Sequence, residues 1–420
     1  MGTYIRKIKN TTHSPDFQNQ LWTVISLGVN AVFPGLLVFA VTRQIGVALA
    51  GLLGYALATA DLPASITLFG VRSFQNVDVK QEVHFNIYLG QRTLCAILAS
   101  LGYFIFLLIS DLDAMQLIVA LLIYFFTLTN SYADVFLGDL QQKGKMRVAG
   151  KMRTSILGAA LLGAVIALLI TQSLVVTVGA AAVVTFLGYI LWIWIYRKHF
   201  GAIRVKMDIV AIKKLTLIAF PIFVSDFITV YIINAQKYYL EAFVSFEAVA
   251  IYSYLMLPVT LTFLVSAGFF QGAIATKTAQ ILATDIRHFK KRVTRQLAFS
   301  FSMFIPFVIF VYFFGVQLLS WLYATDLSQY RLQLTLISVG AMIRAPVFVL
   351  GPVLIMLRSQ KQVFYGTIAI ALTSGSFMWF LVSNYGLYGA AFSGVVIFLP
   401  QTIIYYVLYR IALRKMELAT

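Results

Sequence analysis

The chain has 420 residues, 60% of them hydrophobic and only 11% charged, with a formal net charge of +17 and a mean hydropathy of +0.88. A soluble core of this length is not so apolar. The positive charge does not argue for a nucleic-acid partner, because its placement along the chain has a different explanation.

Apolar stretches of roughly 20 residues, enough to cross a hydrocarbon core as a helix, recur about twelve times and predict an all-α polytopic membrane protein. The first six are expected at about Leu21–Val41, Gly46–Gly70, Tyr88–Ser110, Met115–Leu137, Thr154–Thr171 and Leu174–Tyr196. The second six are expected at about Thr216–Leu240, Ala248–Gly272, Gln296–Leu319, Leu332–Leu357, Val363–Asn384 and Leu387–Tyr409. The first run is long enough to span and has no small-residue cleavage pattern, so it is expected to serve as its own insertion signal.

Basic residues fill alternate gaps between these spans. Arg6, Lys7 and Lys9 lie in the N-terminal tail, Arg72, Lys80 and Arg92 near the second gap, and Lys143, Lys145, Arg147, Lys151 and Arg153 near the fourth. The pattern continues to Arg410, Arg414 and Lys415, and covers 28 of the 32 Lys and Arg. Cationic loops are retained in the cytoplasm, so both termini are expected there. The same loops are placed to meet anionic lipids of that leaflet, an attraction of roughly 1 kcal/mol per cation.

The linker Arg197–Leu215 divides the chain into two six-span halves, 1–200 and 201–420, a common plan for transporters with a central cavity. Between the eighth and ninth spans, Ile281–Val293 reads as an amphipathic helix lying on the membrane surface. Eight of the nine prolines fall in spans, where they bend helices either to flex or to pack.

Charged side chains at membrane depth are costly and face a partner or a cavity. Asp226 in the seventh span and Arg344 in the tenth reach the midplane. Either they form an ion pair that holds the protein together, or they line a cavity. In the cavity Arg344 would meet an anionic substrate and Asp226 would bind a coupling proton or cation. Asp61, two residues before Pro63, is a second coupling candidate, or else a carboxylate bonded around the proline kink. Asn30, Asn234 and Gln236 are candidate sugar contacts or interhelical glue. Arg43 is placed to receive an anionic head group at the outer face, or is a plain loop charge. Lys237, with Tyr238 and Tyr239, reads as an interfacial anchor. Asp134 and Asp139 are expected in solvent near the inner end of the fourth span, pairing with Lys143 or Lys145.

No phosphate-binding Gly-Lys-Ser/Thr loop exists, and the four histidines (His13, His84, His199 and His288) lack metal-ligand spacing. Neither nucleotide hydrolysis by that route nor a metal or other cofactor is expected. A membrane acyltransferase built on an intramembrane histidine is disfavoured on the same ground.

The text Leu68-Phe-Gly-Val-Arg72-Ser73-Phe74-Gln75-Asn76-Val77-Asp78, leading to Tyr88-Leu-Gly-Gln-Arg92, resembles bacterial polysaccharide repeat-unit flippases of the multidrug/oligosaccharidyl-lipid/polysaccharide (MOP) superfamily. Tyr254 to Gln280, with Pro258, Gln271 and Gly272, is similar too, as is Tyr385-Gly-Leu-Tyr-Gly389-Ala-Ala-Phe-Ser-Gly394. In the last pattern small residues permit close helix contact. Where the family has Val-Ser-Asp, this chain has Asn76-Val77-Asp78.

The resemblance implies two six-helix lobes around a cationic cavity. It also implies movement of an undecaprenyl-pyrophosphate-linked oligosaccharide to the outer leaflet of a bacterial cytoplasmic membrane. Polysaccharide-synthesis enzymes would be neighbours, and H+ or Na+ the coupling ion. Two charges leaving a negative-inside cell gain up to about 4.6 kcal/mol per 100 mV, which favours that direction. A multidrug or small-molecule antiporter of the same superfamily is the alternative, and an integral-membrane transferase a more distant one.

Overall fold

The computed structural model describes residues 15–77, 83–271, 278, 280–282, 285–357 and 359–419. Arg6, Lys7, Lys9, His13, Asp78, Lys80, Gly272, Lys277 and Arg358 lie outside the described residues. Among those described there is no strand. In hydrocarbon a helix satisfies its backbone N–H and C=O groups without water, which is why the apolar stretches take this form.

In chain order the helices are α1 (Pro15–Ile45), α2 (Val47–Leu68), α3 (Val71–Val77), α4 (Phe85–Ile109), α5 (Ala114–Gln142), α6 (Met146–Thr171) and α7 (Leu174–Ile195). There follow α8 (Arg197–Phe200), α9 (Ile209–Phe243), α10 (Phe246–Gln271) and α11 (Ile286–Phe310), then a π-helical turn at Val311–Gly315. Next come α12 (Val316–Tyr323), α13 (Arg331–Arg344), α14 (Val347–Met356) and a last run, Gln360–Ala419.

At 1.5 Å per residue that 60-residue run would reach about 90 Å if straight, three times a hydrocarbon core of ~30 Å. Gly386 divides it, with φ 53° and ψ −130°, into α15 (360–385) and α16 (387–419). The eleven helical segments long and apolar enough to cross a membrane therefore provide twelve crossings, as the sequence predicts. The protein is a multi-pass membrane protein. Leu98, Leu101, Ile105, Leu108 and Ile109 are each more than half exposed along α4, a face suited to lipid rather than water.

Contacts group the chain into two compact units, one comprising residues up to Ile45 with Ala56–Phe227, the other Gly46–Tyr55 with Ile228–Thr420. In the first, α1 packs on α6, α6 on α7, α7 on α5, and α3 and α4 on α5. Tyr88, Leu89, Phe136, Leu140, Met152 and Ile156 form its core. In the second, α13 and α14 pack on the final helical run, and α10 and α11 pack on α13. One core there joins Phe289 and Val293 to Leu350, Leu354 and Leu413. Another joins Ile232 and Ala235 to Ile370, Met378 and Ile397.

Helix ends are set by local chemistry. Asp113 starts α5 with a capping box: its side chain accepts from the Gln116 N–H at 2.8 Å while its own N–H donates to Gln116 Oε1 at 3.1 Å. Asp285 starts α11, accepting from the His288 N–H at 2.9 Å and facing His288 Nδ1 at 2.8 Å. The His288 side-chain contact, then its N–H, hold the Asp285 carboxyl below the ordinary carboxylate range. Because the folded-state value is depressed, the cap is intact at neutral pH and is lost only as acid protonates it.

The amphipathic segment differs from expectation. Residues 286–293 are the first turns of α11 and continue into its span. Phe289 and Val293 face the protein core, not the bilayer surface. The periodicity is the same for either apolar partner, which is why the pattern alone pointed elsewhere.

Gly389 lies so close to the Leu381 carbonyl that a Cβ would overlap it, which closes α15 against α16. Gly386→Val, forced into a backbone region that L residues avoid, is expected to cost about 1–3 kcal/mol, read as a lowered Tm in detergent. Gly144→Ala, with positive φ but open space around it, should cost less.

Candidate functional site

The polar residues at membrane depth fall at helix centres. Asn30 is the central residue of the 31-residue α1, and Asp226 is the central residue of the 35-residue α9. Arg344 stands midway along the stretch from Arg331 to Met356, where α13 gives way to α14.

That break has a local cause. Pro346 has no N–H to donate, so the helical ladder stops after the Ala345 N–H reaches the Ala341 carbonyl at 3.0 Å. It restarts where the Phe348 N–H donates to the Ala345 carbonyl at 3.2 Å and the Val349 N–H to the Pro346 carbonyl at 3.0 Å. The Ile343 carbonyl beside the break accepts from Thr402 Oγ1 of α16 at 2.7 Å. The two helices come close because Gly340 faces the Gly394 backbone, at 3.2 Å from where a Cβ would stand.

Arg344 projects from this break into an aromatic cluster. Its guanidinium carbon lies 4.8 Å from the Phe398 ring centre, 5.2 Å from Phe263 and 6.0 Å from Phe348. Its Nε is buried without a hydrogen-bond partner. Within its own unit, no carboxylate among the described residues pairs with it. Ring faces attract a guanidinium by about 0.5–2 kcal/mol each but accept none of its five N–H donors as an oxygen would. A cation held this way keeps donors for a phosphate or carboxylate, which guanidinium binds bidentately.

Gln236 reaches the same helix, α16. Its amide meets Ser393 Oγ at 3.2 Å, and with the amide oxygen on that hydroxyl its nitrogen donates to the Ile232 and Ile233 carbonyls at 3.1 and 3.2 Å. Asn234 is buried and donates to the Val230 carbonyl at 3.2 Å. Both amides thus make protein contacts. The second unit holds Arg344, Gln236 and Asn234, while Asn30, Arg43, Asp61 and Asp226 belong to the first. Those four are exposed side chains, and Arg43 lies over the Phe39 ring at 5.5 Å.

A second charged cluster was not foreseen. Asp134, expected in solvent, is 8% exposed and accepts from Arg72 Nη1 at 2.7 Å on its carboxylate and at 2.6 Å on its backbone carbonyl. Arg72 Nη2 also donates to Gln141 Oε1 at 2.9 Å. Arg92, wholly buried, donates to the Thr67 carbonyl at 3.0 Å, with Nη2 3.8 Å from Asp134. Gln75 donates to the Val135 carbonyl at 3.0 Å. Asp139 is likewise buried, and its expected partner Lys143 is found at 2.7 Å.

Arg72, Gln75 and Arg92 of the motif therefore clamp α3 and α4 onto α5. One signal for this was available: Arg92 stands inside a span and Asp134 inside the apolar run Tyr124–Leu137, so each needed a partner. Among the described residues no His, Cys, Asp and Glu gather as a metal site would require.

The family model for polysaccharide biosynthesis proteins matches residues 17–275. No curated protein is similar enough in sequence to count as a match. Among solved structures, the inward-facing form of a multidrug resistance MATE family transporter of the MOP superfamily aligns over 94% of this chain and 99% of its own, at 14% identity and a TM-score of 0.66. The MATE transporter VcmN of Vibrio cholerae, in its bent form, aligns over 96% and 97%, at 15% identity and a TM-score of 0.61. A MOP superfamily transporter from Pyrococcus furiosus, described as having a binding pocket of reverse polarity, aligns over 96% and 97%, at 12% identity and a TM-score of 0.59. At these identities the likeness shows the fold, which is that of membrane transporters.

Removing the one carboxylate beside a wholly buried arginine is expected to be severe. Asp134→Asn should cost about 3–5 kcal/mol, seen as loss of monodisperse protein or a large fall in Tm. Arg72→Met, Arg92→Met and Asp134→Leu together should recover much of that stability, because an apolar trio leaves no uncompensated charge.

Proposed function

The chain belongs to the polysaccharide biosynthesis protein family, and from that premise we propose that it moves a lipid-diphosphate-linked oligosaccharide from the inner to the outer leaflet of a bacterial cytoplasmic membrane. The family and fold are those of membrane transporters, not of membrane transferases. We take both termini as cytoplasmic, by the charge alternation, and the transport cycle as alternating access. Arg344 carries the reading. It is a mid-span arginine at a helix break, caged by rings, and among the described residues of its unit no carboxylate pairs with it. A diphosphate supplies the negative oxygens that the cage lacks.

Asp226 and Asp61 are the coupling candidates. A carboxylate facing hydrocarbon costs roughly 2.5–3.5 kcal/mol, so exposed side chains at these depths fit water-filled space better than lipid. A proton or sodium ion would bind there. These carboxylates also favour the second reading, a multidrug antiporter, since a cationic drug would seek them. The inward-facing MATE relative bears a multidrug description, whereas the Pyrococcus relative carries the opposite pocket polarity in its description. Arg344 aligns this chain with anionic cargo. Arg43 is proposed as a contact for the head group as it leaves, and Asn30 as a glycan contact.

The test is translocation in proteoliposomes of a lipid-diphosphate oligosaccharide, with and without an imposed membrane potential. Wild-type protein should transfer intact substrate, faster when the acceptor side is positive. Arg344→Gln, which loses a charge-assisted contact of about 1.5–3 kcal/mol, should slow transfer by about 10–100-fold with Tm nearly unchanged. Full transfer by that variant would remove Arg344 from the site. Asp226→Asn should abolish the dependence on an ion gradient while substrate binding persists. Transport of organic cations that depends on Asp226 but not on Arg344 would establish the antiporter instead.

A further inference from the structure

The polar end of α11 has features that transport of the proposed substrate does not require. The continuous segment Ile286–Tyr323 is 38 residues long, about 57 Å at 1.5 Å per residue, well beyond a hydrocarbon core of ~30 Å. All of its cations lie in the first ten residues: Arg287, Lys290, Lys291, Arg292 and Arg295. From Leu297 to Tyr323 there is no charged residue, and that stretch alone spans the core. Arg295 and Thr294 therefore stand where hydrocarbon gives way to headgroups.

The cations do not radiate in all directions. Arg287, Lys290, Lys291, Thr294 and Arg295 recur at helical spacing on one face and line a pocket of about 470 Å³ with no carboxylate in its wall. Phe289 and Val293, each 0% exposed, anchor the opposite face in a core with Leu350, Leu354 and Leu413. Arg292 points elsewhere, donating through Nε to Thr278 Oγ1 at 3.2 Å, and Gln296 donates to the same oxygen at 2.9 Å. Asp285, one turn before the pocket, is bonded to His288. The pocket thus has four cations and a hydroxyl fixed on a rigid wall. Like charges at these spacings repel along the helix, and an anion between them relieves that repulsion.

We propose that this pocket is a discrete binding site for the phosphate headgroup of an anionic phospholipid in the adjacent leaflet. Depth and charge select the occupant. A phosphate on a lipid is delivered at the level of Arg295, and two guanidinium groups and two ammonium groups surround it; the Thr294 hydroxyl lines the pocket but donates to the Lys290 carbonyl at 3.0 Å. At 1.5 Å per residue Arg287 stands about 12 Å beyond Arg295, so the far end of the pocket reaches water, while the lipid phosphate is the anion already present at the level of Thr294 and Arg295. The site is independent of the flippase reading, since any membrane protein with this helix would bind the lipid in the same way.

Native mass spectrometry of detergent-purified protein tests the proposal directly. Wild-type protein incubated with phosphatidylglycerol should retain it, and should retain phosphatidylcholine at least 10-fold less. The triple variant Lys290→Gln, Lys291→Gln and Arg295→Gln should lose at least 10-fold in retained phosphatidylglycerol while its Tm without lipid stays near wild type. Arg197→Gln with Lys198→Gln removes two cations elsewhere and should retain the lipid as wild type does. Equal retention of both lipids, or equal retention by the triple variant and wild type, overturns the site. Displacement of the lipid by an equal concentration of inorganic phosphate would make it a free-anion site and overturns the lipid assignment.

Discussion

The hydrocarbon core supplies no water, so every polar group that enters it is bonded within the protein or opens onto a wet space. Most of the protein obeys this through the backbone. Thr42, Ser253, Thr262 and Ser338 each donate to the carbonyl four residues earlier, at 2.7 to 2.8 Å, so these hydroxyls add no unpaired donor. Gln236 is satisfied across helices through Ser393. Where a proline interrupts α13, a threonine from α16 takes the carbonyl beside the gap. The same rule separates the charged residues into those already answered and those that are not.

Arg92 and Arg344 show the two cases. Arg92 donates to the Thr67 carbonyl and has the Asp134 carboxylate beside it at 3.8 Å, although its Nε and Nη2 make no hydrogen bond, and Arg72 from α3 shares the same carboxylate at 2.7 Å. These three residues join segments far apart in sequence, and breaking any contact strands a buried charge. Such a cluster is a clamp with one arrangement. Arg344 has ring faces instead, and among the described residues of its unit no negative group completes it. The motif that carried the sequence resemblance, Arg72 to Arg92, belongs to the clamp. The functional reading rests on a residue outside that motif.

The twelve crossings were legible because span length, hydropathy and charge alternation are one-dimensional properties. Even the last pair was separable in sequence, since the apolar run is interrupted at Asn384 and Gly386. Partner identity is not one-dimensional. Asp134 and Arg72 are 62 residues apart, and nothing local distinguishes a carboxylate that faces water from one that faces a distant arginine. The cage of Arg344 is drawn from α10, α14 and α16, through Phe263, Phe348 and Phe398. In a chain with 35 phenylalanines, no pattern marks those three. The helical periodicity of 286–293 was real, but a stripe of apolar side chains does not say whether protein or lipid covers it.

A carrier must release what it binds, and the two arginine environments differ in this respect. Charge-assisted hydrogen bonds to a carboxylate are worth about 1.5–3 kcal/mol each, and an anion competing with Asp134 for Arg72 would have to break them while leaving a buried carboxylate unpaired. At Arg344 the competing partners are ring faces, at about 0.5–2 kcal/mol each and with little directional demand. An incoming phosphate can displace the guanidinium from one ring without breaking a hydrogen bond, and the rings recover it on departure. The aromatic cage therefore keeps the cation desolvated and oriented while leaving the gain on anion binding modest and reversible. A fixed carboxylate partner would make the same arginine more stable and less able to exchange.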